Sequence, residues 1–142
     1  MINQVNKARG LTLIELITVV AIIAIVAGFS WQYFEGSKRR SFRSDAIIGL
    51  TKARAFLEKC YSNYRAYNNA NCALPLELKS SPKNLYSIDF DGTPTADSYT
   101  LHATTQGAQV ADNTDCQIIG ITNTGDTSAA GAGSTTDKCW PK

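Results

Sequence analysis

Residues 11–34 of the 142-residue chain read LTLIELITVVAIIAIVAGFSWQYF, an apolar run interrupted by a single charged side chain, Glu15. About 20 apolar residues in a helix span the hydrocarbon core of a bilayer. The large aliphatic side chains contribute roughly −0.3 to −0.6 kcal/mol each to insertion, which together outweighs about +3 kcal/mol for one acidic group. The run therefore predicts a membrane-inserted helix even with the glutamate present.

Three interpretations of this run differ in what they make of Glu15. A cleaved secretory signal fits the basic start at Lys7 and Arg9, but this core is long and no small-x-small cleavage site follows it. A plain single-span anchor explains the length and leaves Glu15 without a role. An ionisable group inside a membrane span is a functional hypothesis by default, so the third interpretation gives Glu15 a function.

The residues around Glu15 form a contiguous motif. Residues 10–17 read GLTLIELI and residues 19–25 read VVAIIAI, which resembles the class III signal of type IV pilins and pseudopilins. The resemblance implies that a prepilin peptidase cuts after Gly10 and methylates the new N-terminus at Leu11, and it assigns Thr12 and Glu15 to subunit assembly. Leu11 departs from the usual phenylalanine, and Gln32 stands where many pilins carry a helix-kinking proline.

Physical chemistry favours a pairing role for Glu15 in such a filament. Cleavage after Gly10 would leave a free amino group on Leu11, and both this amine and the Glu15 carboxylate are costly when unpaired in hydrocarbon. Docked together between neighbouring subunits, they would neutralise each other in a medium of low dielectric constant. A buried pair of this kind fixes register more than it adds stability. We therefore expect Glu15 to set the axial step between subunits.

The resemblance also implies a domain organisation and a topology. Residues 1–10 are the expected leader, residues 11–35 the transmembrane and filament-core helix, and residues 36–142 the head. Counting positive charges around the span would place the neck in the cytoplasm, but the cysteines need an oxidising compartment. We expect a single-pass inner-membrane protein with a cytoplasmic N-terminus and a periplasmic head, which becomes extracellular in the pilus. The implied partners are other pilin subunits, the prepilin peptidase and the pilus assembly platform.

Beyond the span, apolar side chains continue at helical spacing on one face. The stripe alternates steps of four and three residues and consists of Ala46, Leu50, Ala53, Leu57, Cys60 and Tyr64, widened by Phe42, Ile47 and Phe56. One helix is therefore predicted from about Leu11 to about Tyr64, apolar all round in its first half and one-sided in its second. The predicted class is α+β, a type IV pilin-like lollipop whose helix packs on a small antiparallel sheet.

Three short segments predict the strands of that sheet, namely residues 85–90, 98–104 and 117–122. A turn sequence at 91–94 separates the first two segments, and another at 123–125 follows the third. Tyr99, Leu101 and Ala103 alternate onto one face, which is expected to pack on the helical stripe. Residues 128–136 are rich in Ala, Gly, Ser and Thr and predict a flexible surface loop.

Four cysteines, Cys60, Cys72, Cys116 and Cys139, lack the C-x-x-C spacing of a zinc site, so disulfides are favoured over a metal. Four cysteines allow three connectivities. The resemblance to type IV pilins implies a C-terminal disulfide loop closed by Cys116 and Cys139. The remaining pair, Cys60 and Cys72, would then join the helix end to the following loop.

No catalytic constellation or cofactor site is predicted. The single histidine, His102, has no nucleophile motif beside it, and a general base needs a positioned partner. Asp89 and Asp91 are too few for a calcium site. The expectation is a structural pilus subunit, major or minor, with no enzymatic activity, metal or cofactor.

Two alternatives remain open. A pseudopilin of a type II secretion system shares the N-terminal motif, although the Cys116–Cys139 pair favours a pilin. A competence pilin that binds DNA is the second alternative, because residues 38–65 carry eight basic side chains against Asp45 and Glu58. Such cations would supply phosphate contacts independent of base sequence. They would equally suit a solvated helix face, or one near anionic lipid headgroups.

Overall fold

The computed structural model describes residues 12–112, 116–131 and 135–140. The chain divides after Ser37 into two compact units. A first helix, α1 (Leu13–Tyr64), continues through Gly28 and Gly36. In the first unit its large apolar side chains are exposed in the isolated chain, among them Leu13 and Val26. Within the described part of the chain, no helix combines the length and the apolarity that a bilayer span requires.

In the second unit, the predicted stripe of α1 is buried with one exception. Ala46, Leu50, Ala53 and Leu57 are fully buried, and Cys60 is 6% exposed. Tyr64, by contrast, is 46% exposed, so the prediction was wrong at this position. Tyr64 is the last residue of α1, and the positive φ of 55° at Arg65 ends the helix directly after it, so the stripe has no further turn there to pack on the sheet.

The sheet has four antiparallel strands in sequential order. They are β1 (Tyr86–Phe90), β2 (Thr100–Thr105), β3 (Ile118–Thr122) and β4 (Thr127–Ala130). A short helix, α2 (Thr136–Cys139), follows β4, and three 3-10 helices lie at Ala70–Cys72, Leu76–Leu78 and Gly107–Asp112. The α+β class, the helix packed on an antiparallel sheet and the first three strands are confirmed.

Alternate strand residues point at the helix, as a period of two requires. Ile88 on β1, Leu101 and Ala103 on β2, and Ile119 on β3 share one buried core with the α1 stripe. Their register brings Ile88 opposite Ala103 and Ala103 opposite Ile119, so the buried side chains form a continuous row across the sheet. Tyr99 is 3% exposed, which confirms the predicted face.

The fourth strand corrects the prediction of a flexible loop over residues 128–136. Thr127–Ala130 pairs with β3 in register, with Gly120 opposite Ser128. Its outer edge is held by the C-terminal segment, because the Trp140 indole N–H donates to the Ser128 carbonyl at 3.0 Å. Pairing and this edge contact give strand structure to a segment that has no large apolar side chain of its own.

Two disulfides close the loops at the ends of the fold. Cys116 is joined to Cys139, which confirms the predicted C-terminal disulfide, and Cys60 is joined to Cys72. All four half-cystines are buried, with at most 6% exposure. Loops of 12 and 23 residues correspond to about 3 kcal/mol of stabilisation each in the chain-entropy account.

Candidate nucleic-acid interface

The processing residues Gly10 and Leu11 lie outside the described part of the chain. Thr12 and Glu15 are described, at the start of α1. The Thr12 hydroxyl accepts a hydrogen bond from the Glu15 backbone N–H at 3.3 Å, as a helix N-cap does. Glu15 lies in the first turn, where a carboxylate interacts favourably with the helix dipole. Its side chain is exposed in the isolated chain and therefore accessible to another subunit.

Two of the basic side chains of residues 38–65 form hydrogen bonds within the fold. Arg43 is 9% exposed and donates to the Lys138 carbonyl at 3.5 Å. Arg54 donates to the Asn123 carbonyl at 3.2 Å and lies beside Gly125. These two arginines tie α1 to the C-terminal segment and to the β3–β4 turn. Both guanidinium groups are therefore used, at least in part, within the fold.

Several other cations are exposed. On and just after α1 they are Lys38, Arg40, Lys52, Lys59 and Arg65, and in the segment between α1 and β1 they are Lys79 and Lys83. Charge is distributed unequally along the chain as a whole. Residues 38–84 carry ten basic and three acidic side chains, whereas residues 85–142 carry two basic and seven acidic ones. A polyanion is therefore attracted more to residues 38–84 than to residues 85–142.

Gly49 lets the segment before β1 lie directly against α1. A Cβ at this position would clash with Ile88 Cδ1 and come within 3.3 Å of the Ser81 Cα. Since no side chain stands between the two backbones, Ser81 is only 2% exposed. The close approach brings residues 76–84 alongside Lys52, which lies less than one turn after Gly49.

Hydrogen bonds from both sides hold this segment in place. The Ser81 hydroxyl accepts from the backbone N–H groups of Leu85 and Tyr86 at 3.1 and 3.0 Å. The Asp45 carboxylate, itself 3% exposed, accepts from the Lys83 backbone N–H through both oxygens at 3.1 and 3.2 Å. The backbone of Lys83 is therefore fixed while its ammonium group remains in solvent.

A groove of about 450 Å³ results between α1 and this segment. It is lined by Gly49, Lys52, Leu76, Glu77, Leu78, Ser80, Ser81, Pro82 and Asn84. We call this the lysine groove, because Lys52 lines it and the segment that forms one wall also carries Lys79 and Lys83, which are exposed but are not lining residues. Glu77 is the acidic side chain among its lining residues. Lys52 is the cationic side chain among the lining residues, and an ammonium group is a donor that contacts phosphate oxygens.

Lys79 and Lys83 were absent from the predicted basic region, which ended at Arg65. Their spacing to each other was visible in the sequence, within the turn-forming run KSSPKN at 79–84. The sequence does not show that the segment carrying them lies against α1 beside Lys52, because that arrangement depends on the contact at Gly49.

A second polar cluster lies at the end of α1, where Glu58 meets two tyrosines. The Tyr67 and Tyr99 hydroxyls donate to the two Glu58 carboxylate oxygens, each at 3.0 Å. Burial, followed by the hydrogen bond to Glu58, raises the pKa of Tyr67 to about 12, and the same causes raise the pKa of Tyr99 further. Both phenols thus remain protonated donors at neutral pH, and the cluster joins α1 to the segment before β2 as a structural element.

The remaining candidates sit apart from the lysine groove. His102 lies on β2 opposite Asp89, and its Nδ1 is 4.0 Å from the Asp91 carboxylate. Among the described residues, no group of three or more His, Cys, Asp and Glu side chains is arranged to hold a metal ion.

Comparison with known proteins agrees with this fold. Residues 33–120 match the family described as "Type IV minor pilin ComP, DNA uptake sequence receptor". Residues 5–31 match the prokaryotic N-terminal methylation motif. The chain is 34% identical over 107 residues to the type IV wide pilus major component PilA4 of Thermus thermophilus, covering 74% of this chain and 79% of that protein.

A solved structure shares the fold. The non-core minor pilin PilV of Neisseria meningitidis superposes with a TM-score of 0.54 at 18% identity, over 67% of this chain and 89% of that one. At this identity the likeness concerns the fold alone. The methylation motif, the match over most of the head and the relative in Thermus thermophilus together establish that this chain belongs to the type IV pilin family.

Proposed function

We propose that this pilin is a minor subunit of a type IV pilus and that its head binds double-stranded DNA at the lysine groove. The observation that carries the proposal is the groove itself, which Lys52 lines and whose wall segment, held by its backbone, also bears the exposed Lys79 and Lys83. The match to a family described as a receptor for a DNA uptake sequence supports the same ligand.

The proposed ligand agrees with the charge on each side of the head. Lys52, Lys79 and Lys83 are exposed, and Arg43 and Arg54 are used within the fold. Ammonium groups bind phosphates as point charges, so these three lysines would hold a duplex without reading its bases. The net negative charge of residues 85–142 would disfavour binding of the duplex to that part of the chain.

The proposal includes the maturation expected from the N-terminal motif. The prepilin peptidase would cut after Gly10 and methylate the amine of Leu11, and the assembly platform would insert the subunit into the filament. Residues 11–34 would anchor the precursor in the inner membrane, with the head in the periplasm, and would later pack against other pilin subunits. Support comes from the apolar sequence and from the methylation motif over residues 5–31.

Salt dependence of DNA binding tests the proposed function. Full-length protein in a neutral detergent would be titrated with a fluorescent duplex by anisotropy at several salt concentrations. Three lysine–phosphate contacts predict a slope of about −2.7 for log K against log [salt], or roughly a 40-fold loss of affinity between 50 and 200 mM salt. Absence of binding at low salt, or an affinity that does not change with salt, would contradict the proposal.

A further inference from the structure

One leucine on the wall of the lysine groove is exposed to an unusual degree. Leu76 is 87% exposed, more than any other large hydrophobic side chain of the described residues. Single exposed leucines are common on protein surfaces and need no explanation by themselves. Leu76 differs from such leucines in two respects. It lines the groove for which a DNA ligand has been proposed, and hydrogen bonds of the neighbouring backbone fix its position.

The backbone around Leu76 is fixed in a tight turn. Pro75 precedes it with φ −65° and ψ 154°. The Leu78 N–H donates to the Pro75 carbonyl at 2.9 Å, and the Lys79 N–H donates to the Leu76 carbonyl at 3.2 Å. Lys79 is in turn joined to β1, since its carbonyl accepts from Ile88 N–H at 2.8 Å. The side chain is therefore presented outward with little backbone entropy left to lose on binding.

The charged side chains near Leu76 indicate which kind of binding partner Leu76 contacts. An apolar protein surface would bury Leu76 well, but it would also desolvate the nearby ammonium groups of Lys52 and Lys79, which is costly without counter-charges. A DNA minor groove provides an apolar environment for Leu76 between stacked base pairs. It also provides negative charge for the lysines, because a row of phosphates lies on either side of the groove. Lys52 and Glu77 line the groove with Leu76, and the exposed Lys79 and Lys83 follow on the same segment, so the net positive charge of these four charged side chains favours the polyanion.

We propose that Leu76 is a wedge that enters the minor groove and partly unstacks one base step. This proposal rests on the proposed DNA-binding function. Lys52 on one side and Lys79 and Lys83 on the other hold the flanking phosphates. Apolar wedges of this kind kink a duplex by about 20–90°. Since pyrimidine–purine steps unstack most easily, the wedge would give the groove a preference for DNA with a flexible step at the contacted position.

The test measures bending and step preference in full-length protein. A duplex with a dye at each end reports its bend by energy transfer, and two duplexes differ only in a central TA or GC step. The wild type is expected to bend the TA duplex by at least about 20° and to bind it roughly fivefold more tightly than the GC duplex. Leu76→Ala is expected to bind with the same salt slope, without the bend and without the preference.

Two further variants control for size and hydrophobicity. Leu76→Met keeps a wedge and should keep the bend. Ile48→Ala removes another exposed aliphatic side chain, 49% exposed on α1 next to Gly49, and should also leave the bend unchanged. Equal bending by wild type and Leu76→Ala would overturn the wedge and leave the proposed function intact, as would a wild type that binds DNA without bending it. A wild type that does not bind DNA would overturn the proposed function itself.

Discussion

Replacing Glu15 by alanine is expected to abolish filament formation while leaving membrane insertion and cleavage of the leader intact. Cleavage after Gly10 would create an amine on Leu11 that must enter an apolar environment when the subunit joins the filament. Removing one partner of a buried ion pair typically costs about 3 to 5 kcal/mol, because the other charge remains unpaired. At about 1.4 kcal/mol per tenfold, the affinity of each subunit for the growing end would fall by roughly 100-fold or more.

The measurement compares sheared filaments and total membrane protein from cells that express each variant. Thr18→Ala is the matched control, because Thr18 lies one turn further along the same apolar helix and its hydroxyl bonds only to its own helix, at the Glu15 carbonyl, 2.9 Å away. This control should assemble normally, since it removes a polar side chain without removing a charge. Normal filament numbers from Glu15→Ala would show that the carboxylate has no part in assembly.

Replacing Lys52, Lys79 and Lys83 together by glutamine is expected to weaken DNA binding by roughly 100-fold or more near 0.1 M salt. Each lost phosphate contact makes the slope of log K against log [salt] less negative by about 0.9. The triple variant should therefore bind weakly and with a slope near zero. The fold should persist, because all three ammonium groups are exposed and the Lys83 backbone N–H, which binds Asp45, is retained.

A second triple variant separates the groove from general charge. Arg40, Lys59 and Arg65 are also exposed, and none of them lines the lysine groove or belongs to its wall segment, residues 76–84. Arg40→Gln, Lys59→Gln and Arg65→Gln together remove three positive charges, as many as the first triple variant removes. This control should lose less than about tenfold in affinity, as distant charges are screened beyond roughly 10 Å at 0.1 M salt. Equal losses in the two triple variants would mean that DNA contacts the whole basic face.

Much of the fold was predictable from periodicity. The α1 stripe from Ala46 to Cys60 follows helical spacing, and the alternation of Tyr99, Leu101 and Ala103 follows strand spacing, so burial of both was predicted correctly. Such patterns report which face of one element is apolar. They do not report where an element stops making contacts, which is why Tyr64 was assigned to the core although α1 ends there.

The fourth strand could not be read from its own residues. Thr127–Ala130 contains no large apolar side chain and resembles the Gly-rich and Ser-rich sequence that follows it. Its structure comes from outside the segment, through pairing with β3 and through the indole of Trp140, which the Cys116–Cys139 bond keeps close to the sheet. A contact set by distant residues leaves little trace in local composition.

The lysine groove was missed for a related reason. The basic charge of α1 was visible, but the sequence did not show that Arg43 and Arg54 are engaged within the fold. Nor did it show that Gly49, one of ten glycines, is the point where the segment before β1 meets the helix. The site therefore depends on the close approach of the α1 backbone at Gly49 to the backbone at Ser81, and no sequence motif predicts that contact.

The identity of the first residue of the assembled subunit tests the central claim most directly. Intact-mass and N-terminal peptide analysis of protein taken from sheared filaments should find a chain that begins at Leu11 and carries one methyl group on its amine. This result would supply the positive partner that Glu15 requires. A filament subunit that still begins at Met1 would lack that amine, and maturation by cleavage and assembly by charge pairing would both be contradicted.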